Sequence, residues 1–366
     1  MRLLFAAMAA HGHTYPLVPL AQAAIRAGHD VVFAAGAPFL PVLHAAGLPA
    51  VPAGMGLPEA LAAATAAGVQ AGDRQVGHAL GQVMARQWAE DLAVLLARHR
   101  TELLIHDVTT LGAALAGAQA GIPVLAHTFG RVDPGPTWKM INWVFTELVE
   151  DAGLDAATVL HSGRVLDICP ESVQAPGFLA TADRIPLRPV GWSPPGAPPP
   201  VRRRPLVYLT LGTAFATPEL LRQSLFGLAT LPVDVLVTTG PTVPAAALGE
   251  VPGNVRVESW VAQQDLLPRA DLVVHHGGSG TMLGAFQAGL PQLLLPRAAD
   301  QFGNAEAVVT AGAGARLLPD DVTSEAVTTL AEALLADPGP RAAARRIAAE
   351  IAAMPSPDRV VAELTG

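Results

Sequence analysis

Short apolar runs closed by small or polar residues alternate along this chain with stretches in which apolar side chains recur at helical spacing. Residues 2–9 are the first such run and predict a strand. The turn Ala10-His11-Gly12-His13-Thr14-Tyr15-Pro16 follows, and then Leu17, Leu20, Ala21, Ala24 and Ile25 mark a helix that stops at Gly28. Residues 31–34 predict another strand, so the chain opens as a βαβ-like unit. Leu103-Leu104-Ile105-His106-Asp107 predicts a strand that ends in an acid.

The alternation returns in the second half. Runs at 206–211, 234–240, 255–257 and 272–275, separated by helical segments, predict a doubly wound parallel sheet. Between the halves, the proline-rich stretch 189–200 can continue neither a helix nor a central strand. A chain of 366 residues suits two domains of about 150–200 residues each. The expected fold is α/β, with two Rossmann-like doubly wound domains. The first spans 1–194, a linker 195–204, the second 205–345, and a helical segment 346–366 closes the chain.

Composition narrows the setting. Apolar residues make up 51% of the chain and charged ones 15%, while aromatics reach only 5%, so alanine, leucine and valine must fill a large core. The net charge of -8 and a single basic cluster, Arg202-Arg203-Arg204, argue against nucleic acid as a partner. Cys169 is the sole cysteine, which forbids an intramolecular disulfide and points to the cytoplasm. Residues 1–10 lack the hydrophobic core and cleavage site of a signal peptide, and no apolar run approaches the length of about 20 residues that spans a bilayer.

The densest chemistry lies between Trp260 and Gln301. The strand at 272–275 runs into His276-Gly277-Gly278-Ser279-Gly280-Thr281, and a helix follows that stops at Gly289-Leu290-Pro291. Strand, glycine turn and helix aim free backbone N–H groups at one point, where the helix dipole also favours negative charge. A diphosphate suits that point, with His276 and Thr281 as side-chain donors. Such a turn alone is also a common structural device. The flanks sharpen it: in Trp260-Val261-Ala262-Gln263 the indole offers a flat face to a nucleobase, and Asp300-Gln301 can accept from and donate to sugar hydroxyls. His275 reads as a strand-end packing residue.

This region resembles the donor-site signature of the GT-B glycosyltransferases that act on small molecules, among them the actinobacterial antibiotic glycosyltransferases. Their pattern, Trp-x-x-Gln, His-x-Gly-x-x-Ser/Thr, Gly-x-Pro and Asp/Glu-Gln, is filled by Trp260, Gln263, His276, Gly278, Thr281, Gly289, Pro291, Asp300 and Gln301. Gly284 departs from it, standing where many uridine-nucleotide users carry an acid for the ribose hydroxyls. Losing that acceptor suits a deoxyribose and so a thymidine diphosphate donor. The turn Gly212-Thr213 resembles the family loop that touches the donor phosphates.

The resemblance extends to the amino terminus, where the Gly-His-x-x-Pro turn implies a catalytic base at His13. Imidazole suits that task on its own chemistry, since its ordinary pKa of about 6.5 lets it work near neutrality. Asp107 occupies the position of the family's orienting carboxylate, and strand carboxyl ends line the crevice of open α/β sheets. Equally, an aspartate there can cap a helix starting near Thr109. The implied reaction is inverting transfer of a sugar or deoxysugar from a nucleoside diphosphate to a small hydrophobic aglycone, in a cleft between two facing domains, with the last helix crossing back to the first.

Other residues are less settled. His11 can shape the turn or touch a phosphate. Trp138 and Trp143, with Met140 and Phe145, can line an acceptor pocket, although such residues at helical spacing also make plain core. His29, His44, His78, His99, His127 and His161 are scattered without metal-ligand spacing, and no Asp-x-Asp occurs, so no metal or other cofactor is expected. A second copy of the chain is a candidate partner. A nucleotide-sugar epimerase of like architecture and a non-catalytic nucleotide-sugar binder are the alternatives. The first needs acid/base groups around the sugar that are scarce here, and the second predicts a degraded base, whereas His13 and Asp107 are intact.

Overall fold

A computed structural model describes residues 1–132, 135–161, 164–196 and 204–365. Most of the expected linker, with Arg202 and Arg203, lies outside the described residues. The chain divides into two units. One comprises Met1–Ile168, Ala175–Arg188 and Pro355–Gly366, the other Cys169–Gln174 and Pro189–Met354.

The first unit is built on a parallel sheet of seven strands: β1 (Arg2–Ala7), β2 (Asp30–Ala35), β3 (Ala50–Pro52), β4 (Leu103–Asp107), β5 (Val124–His127), β6 (Val165–Asp167) and β7 (Arg184–Pro186). Their order is β3-β2-β1-β4-β5-β6-β7. β1 after Arg2 is a continuous apolar run and β4 is apolar up to His106 and Asp107, and both are buried on both faces, as a sheet covered by helices requires. One core gathers Leu4, Met8, Trp88, Leu92 and Leu104.

The second unit repeats the plan with six strands: β8 (Leu206–Thr210), β9 (Asp234–Thr238), β10 (Val255–Glu258), β11 (Leu272–His275), β12 (Gln292–Leu294) and β13 (Gly314–Arg316), in the order β10-β9-β8-β11-β12-β13. Its core is almost wholly leucine and valine, among them Val207, Leu209, Leu225, Val235, Val274 and Leu293.

In both sheets the strand order reverses once, between β1 and β4 and between β8 and β11. At such a point the loops leaving the two strands diverge to opposite faces and open a crevice beyond their carboxyl ends. The loops there carry His13 and Asp107 in the first unit, and Gly212 and the 276–281 turn in the second.

The division by contacts differs from the boundaries drawn on the sequence. It falls between Arg188 and Pro189 rather than at 194, and the returning segment starts at Pro355 rather than 346. Residue 346 lies inside the helix Pro338–Ala353, which packs on the helix Ser279–Gln287 and whose Arg341 donates to the Asp271 carbonyl at 2.7 Å. After Pro355 the helix Pro357–Thr365 packs instead on Val18–Arg26, where Arg26 pairs with Asp358 at 2.7 Å and His29 Nε2 meets Thr365 Oγ1 at 3.1 Å. Among the described residues no helix is long and apolar enough to cross a membrane.

Candidate functional site

In the first unit His13 sits on the one-turn helix His11–Thr14 that follows β1, and Asp107 is the last residue of β4. Neighbouring parallel strands bring the two together across 94 positions of sequence: His13 Nδ1 lies 3.1 Å from Asp107 Oδ1. The aspartate side chain is fully buried and that of His13 is 19% exposed. An ionised carboxylate can only accept, so the imidazole proton resides on Nδ1 and Nε2 keeps its lone pair.

The other carboxylate oxygen accepts from the Thr109 hydroxyl, and more distantly from Thr110 Oγ1 at 3.4 Å. Thr109 Oγ1 also lies 3.2 Å from His13 Nδ1, so it braces both partners. Phe129 packs against the imidazole with ring centroids 4.5 Å apart. The helix after β4 begins at Gly112, with Leu111 at its cap and no capping side chain, so the Asp107 carboxylate serves the histidine and threonines rather than a helix end.

Two more histidines flank this pair. His106 points its Nδ1 at the Asp107 carbonyl, 2.8 Å away, and burial lowers its pKa. His127, the strand neighbour of Asp107 in register, is fully buried, and burial pushes its pKa down to about 4. His11 packs edge-on to Tyr15 and Phe39, with centroids 5.2 and 5.1 Å away, and burial lowers its pKa as well.

The expected acceptor residues do not share one surface. Trp138 packs on the core around Leu111 and Phe145, Phe145 is fully buried, and Trp143 is 57% exposed, all on the helix Pro136–Asp151. Five residues along a helix turn Trp143 well away from Trp138.

In the second unit the helix Ser279–Gln287 starts from Gly278 with no capping side chain and no acid in its first turn, so its leading N–H groups remain available to an anion. His276 is wedged between two glycines: a Cβ on Gly278 would lie 2.5 Å from its Nε2, and one on Gly212 2.5 Å from its Cε1. Gly212, at φ +75°, belongs to the loop after β8 and leads into Thr213. Burial pushes the pKa of His276 to about 4, leaving the imidazole neutral.

His275 is a framework residue. Its Nδ1 accepts from the Gly277 N–H at 3.1 Å and its Nε2 faces Gln292 Oε1 at 2.9 Å, which fixes a neutral tautomer; burial and the adjacent His276 hold its pKa near 3. Gln263 braces the turn from the other side, its Nε2 donating to Tyr208 at 3.2 Å and to Thr281 at 3.3 Å. Trp260 is half-buried, with Gly196 close against its indole. The Val261 side chain lies in a core with Tyr208 and Leu266, so only its backbone is free for a ligand.

Asp300 and Gln301 divide their work. Gln301 Oε1 accepts from the Arg297 and Ala298 N–H groups at 2.8 and 3.1 Å, so the oxygen folds its own loop. Within that loop Ala299 is held at φ +53°, a strained setting for a residue with a Cβ. Asp300 Oδ2 accepts from Ser279 Oγ and Asn304 Nδ2, each at 2.8 Å.

Sequence reasoning missed Thr109, Phe129 and Asn304. Thr109, two residues beyond a strand-end aspartate, was within reach of the sequence, because short hydroxyl side chains there turn back on the acid. Nothing in the sequence marks the other two.

Known proteins resemble this chain over nearly its whole length. Residues 224–366 match the family described as erythromycin biosynthesis protein CIII-like, C-terminal domain. The chain is 34% identical to an L-demethylnoviosyl transferase of Streptomyces niveus, over 99% of this chain and 97% of that one. It is 31% identical to the elloramycin glycosyltransferase ElmGT of Streptomyces olivaceus, over 100% and 97%. Among solved structures it resembles the spinosyn rhamnosyltransferase SpnG in complex with thymidine diphosphate, with a TM-score of 0.86 at 28% identity and full coverage of both chains.

Proposed function

The chain belongs to the natural-product glycosyltransferases of the GT-B fold, and from that premise we propose that it moves a hexose, deoxygenated or not, from thymidine diphosphate to a hydroxyl of a small hydrophobic aglycone, with inversion at the anomeric carbon. The observation that carries this reading is the closed pair of His13 Nδ1 and the buried Asp107 carboxylate. His13 Nε2 takes the acceptor proton as the oxygen attacks, and Asp107 stabilises the imidazolium that forms.

Negative charge gathers meanwhile on the leaving diphosphate. The N–H groups opening the helix Ser279–Gln287 meet it, helped by the Thr281 hydroxyl. Neutral His276 can donate one hydrogen bond there without bringing a charge of its own. Preorganised donors of this kind do the work of a divalent ion, so the reaction needs no metal.

The thymidine preference rests on Gly284. It lies within the donor helix and offers no acceptor to a 2′-hydroxyl, and a Cβ there would come 2.8 Å from Leu267 Cδ1. The deciding experiment pairs calorimetric titration of thymidine diphosphate with single-turnover transfer by wild type and His13→Ala. Binding kept while transfer is lost supports the assignment. Equal transfer by both proteins removes His13 from the chemistry.

A further inference from the structure

Asn304 lies on the helix Gln301–Thr310, one turn beyond Asp300, and is 1% exposed. Its amide nitrogen faces three oxygens: the Gly277 carbonyl at 2.8 Å, Ser279 Oγ at 3.0 Å and Asp300 Oδ2 at 2.8 Å. All three accept from it, so the nitrogen must face them. Asn304 Oδ1 is buried and has no partner among the described residues, which leaves the side chain held by its nitrogen alone. An amide carries two protons. They serve the carbonyl and the carboxylate, and Ser279, whose own proton goes to Asp300 at 2.8 Å, takes a shared contact.

One side chain thus joins two segments with different tasks. Gly277 and Ser279 shape the turn whose N–H groups face the diphosphate. Gly277 is at φ +92°, and a Cβ there would lie 2.9 Å from the Gln301 carbonyl oxygen, so the turn is seated on the sugar-binding loop. Asp300 Oδ2 is filled by Ser279 and Asn304, so Oδ1 is the oxygen turned over to a sugar hydroxyl.

We propose that Asn304 is a positioning residue that couples sugar recognition to diphosphate recognition, by fixing the Asp300 carboxylate against the phosphate turn. This rests on the donor-site reading above. With Asn304 present, the carboxylate is presented in a single orientation. Without it, Asp300 is tethered only through Ser279, and the sugar gains little from its presence.

The test is calorimetric titration of the full chain with thymidine diphosphate and with thymidine diphosphate glucose, in wild type, Asn304→Ala, Asp300→Ala and the double variant. The quantity read is the ratio of the two affinities. Wild type should favour the sugar nucleotide by about tenfold, the scale of one hydrogen bond to a charged group. Each single variant should bring the ratio to about one, and the double variant should lose no more than either single one, since the two residues act as a unit. Should Asn304→Ala fail to fold, Asn304→Ser carries the same comparison. A wild-type-like ratio in the Asn304 variant, additive losses, or a wild-type ratio of one overturns the proposal while thymidine diphosphate binding still upholds the donor site. Wild type that binds neither ligand overturns both.

Discussion

Asp107 holds His13 through one carboxylate oxygen and Thr109 through the other, and Thr109 in turn reaches the His13 ring nitrogen. This closed triangle fixes the tautomer and the direction of the imidazole at once. Replacing Asp107 by asparagine puts an amide where a charge should offset the imidazolium. Turnover should fall by roughly two to four orders of magnitude while the affinity for thymidine diphosphate stays within about twofold. Thr109→Val, which removes only the brace, should cost about tenfold in kcat and leave KM for the donor unchanged. Steady-state kinetics on the three proteins check this, and full activity in Asp107→Asn would refute it.

The Gly284 reading makes a direct prediction about nucleotide choice. Gly284→Glu puts a carboxylate beside the expected ribose position, and its Cβ meets the tip of Leu267, 2.8 Å away. The stabilisation by uridine diphosphate should rise relative to thymidine diphosphate, and thermal shifts with both nucleotides measure it. An unchanged ratio would sever Gly284 from donor selection.

Acid sensitivity follows from the buried histidines. His127 and His276 are held near pKa 4 and His275 near 3 in the folded chain. In the unfolded chain each returns to about 6.5. The unfolded state therefore binds these protons first, so stability is whole above about pH 6.5 and drains away as the pH falls toward 4. Each ring contributes a slope of up to about 1.4 kcal/mol per pH unit. Thermal unfolding should move several degrees lower between pH 7 and pH 5, and a flat Tm over that range would contradict the neutral, buried assignment.

Catalysis through backbone N–H groups should be indifferent to chelators. Transfer measured after exhaustive treatment with EDTA should match the untreated rate. A loss that magnesium or manganese restores would show that the helix N-terminus does not carry the leaving-group charge alone.

Much of the fold was legible because parallel strands buried on both faces are mostly apolar: 103–107 and 272–275, apolar up to the His106-Asp107 and His275 that close them, were readable to the residue. β3 and β7, each of which ends in a proline, and β5, β6, β12 and β13 were not. The last four are three or four residues long and carry His127, Asp167, Gln292 and Arg316, polar groups that an isolated pattern assigns to loops. Asp167 is buried because Arg184 and Thr128 hold it at 2.7 and 3.0 Å, and Gln292 because His275 does. Partners so distant in sequence leave no local signal. The same limit hid Asn304, while the glycine turn announced itself through its backbone. Trp138 and Trp143 lie five positions apart and so on different faces of one helix, which is why the first packs on the core and the second is exposed.

The first unit takes its final helix from the far end of the chain, at Pro357–Thr365. Anyone recombining halves of related enzymes must therefore cut twice, near Arg188 and again near Met354. A hybrid joined only once would dress one parent's first unit in the other parent's tail, with Arg26 and His29 deprived of Asp358 and Thr365.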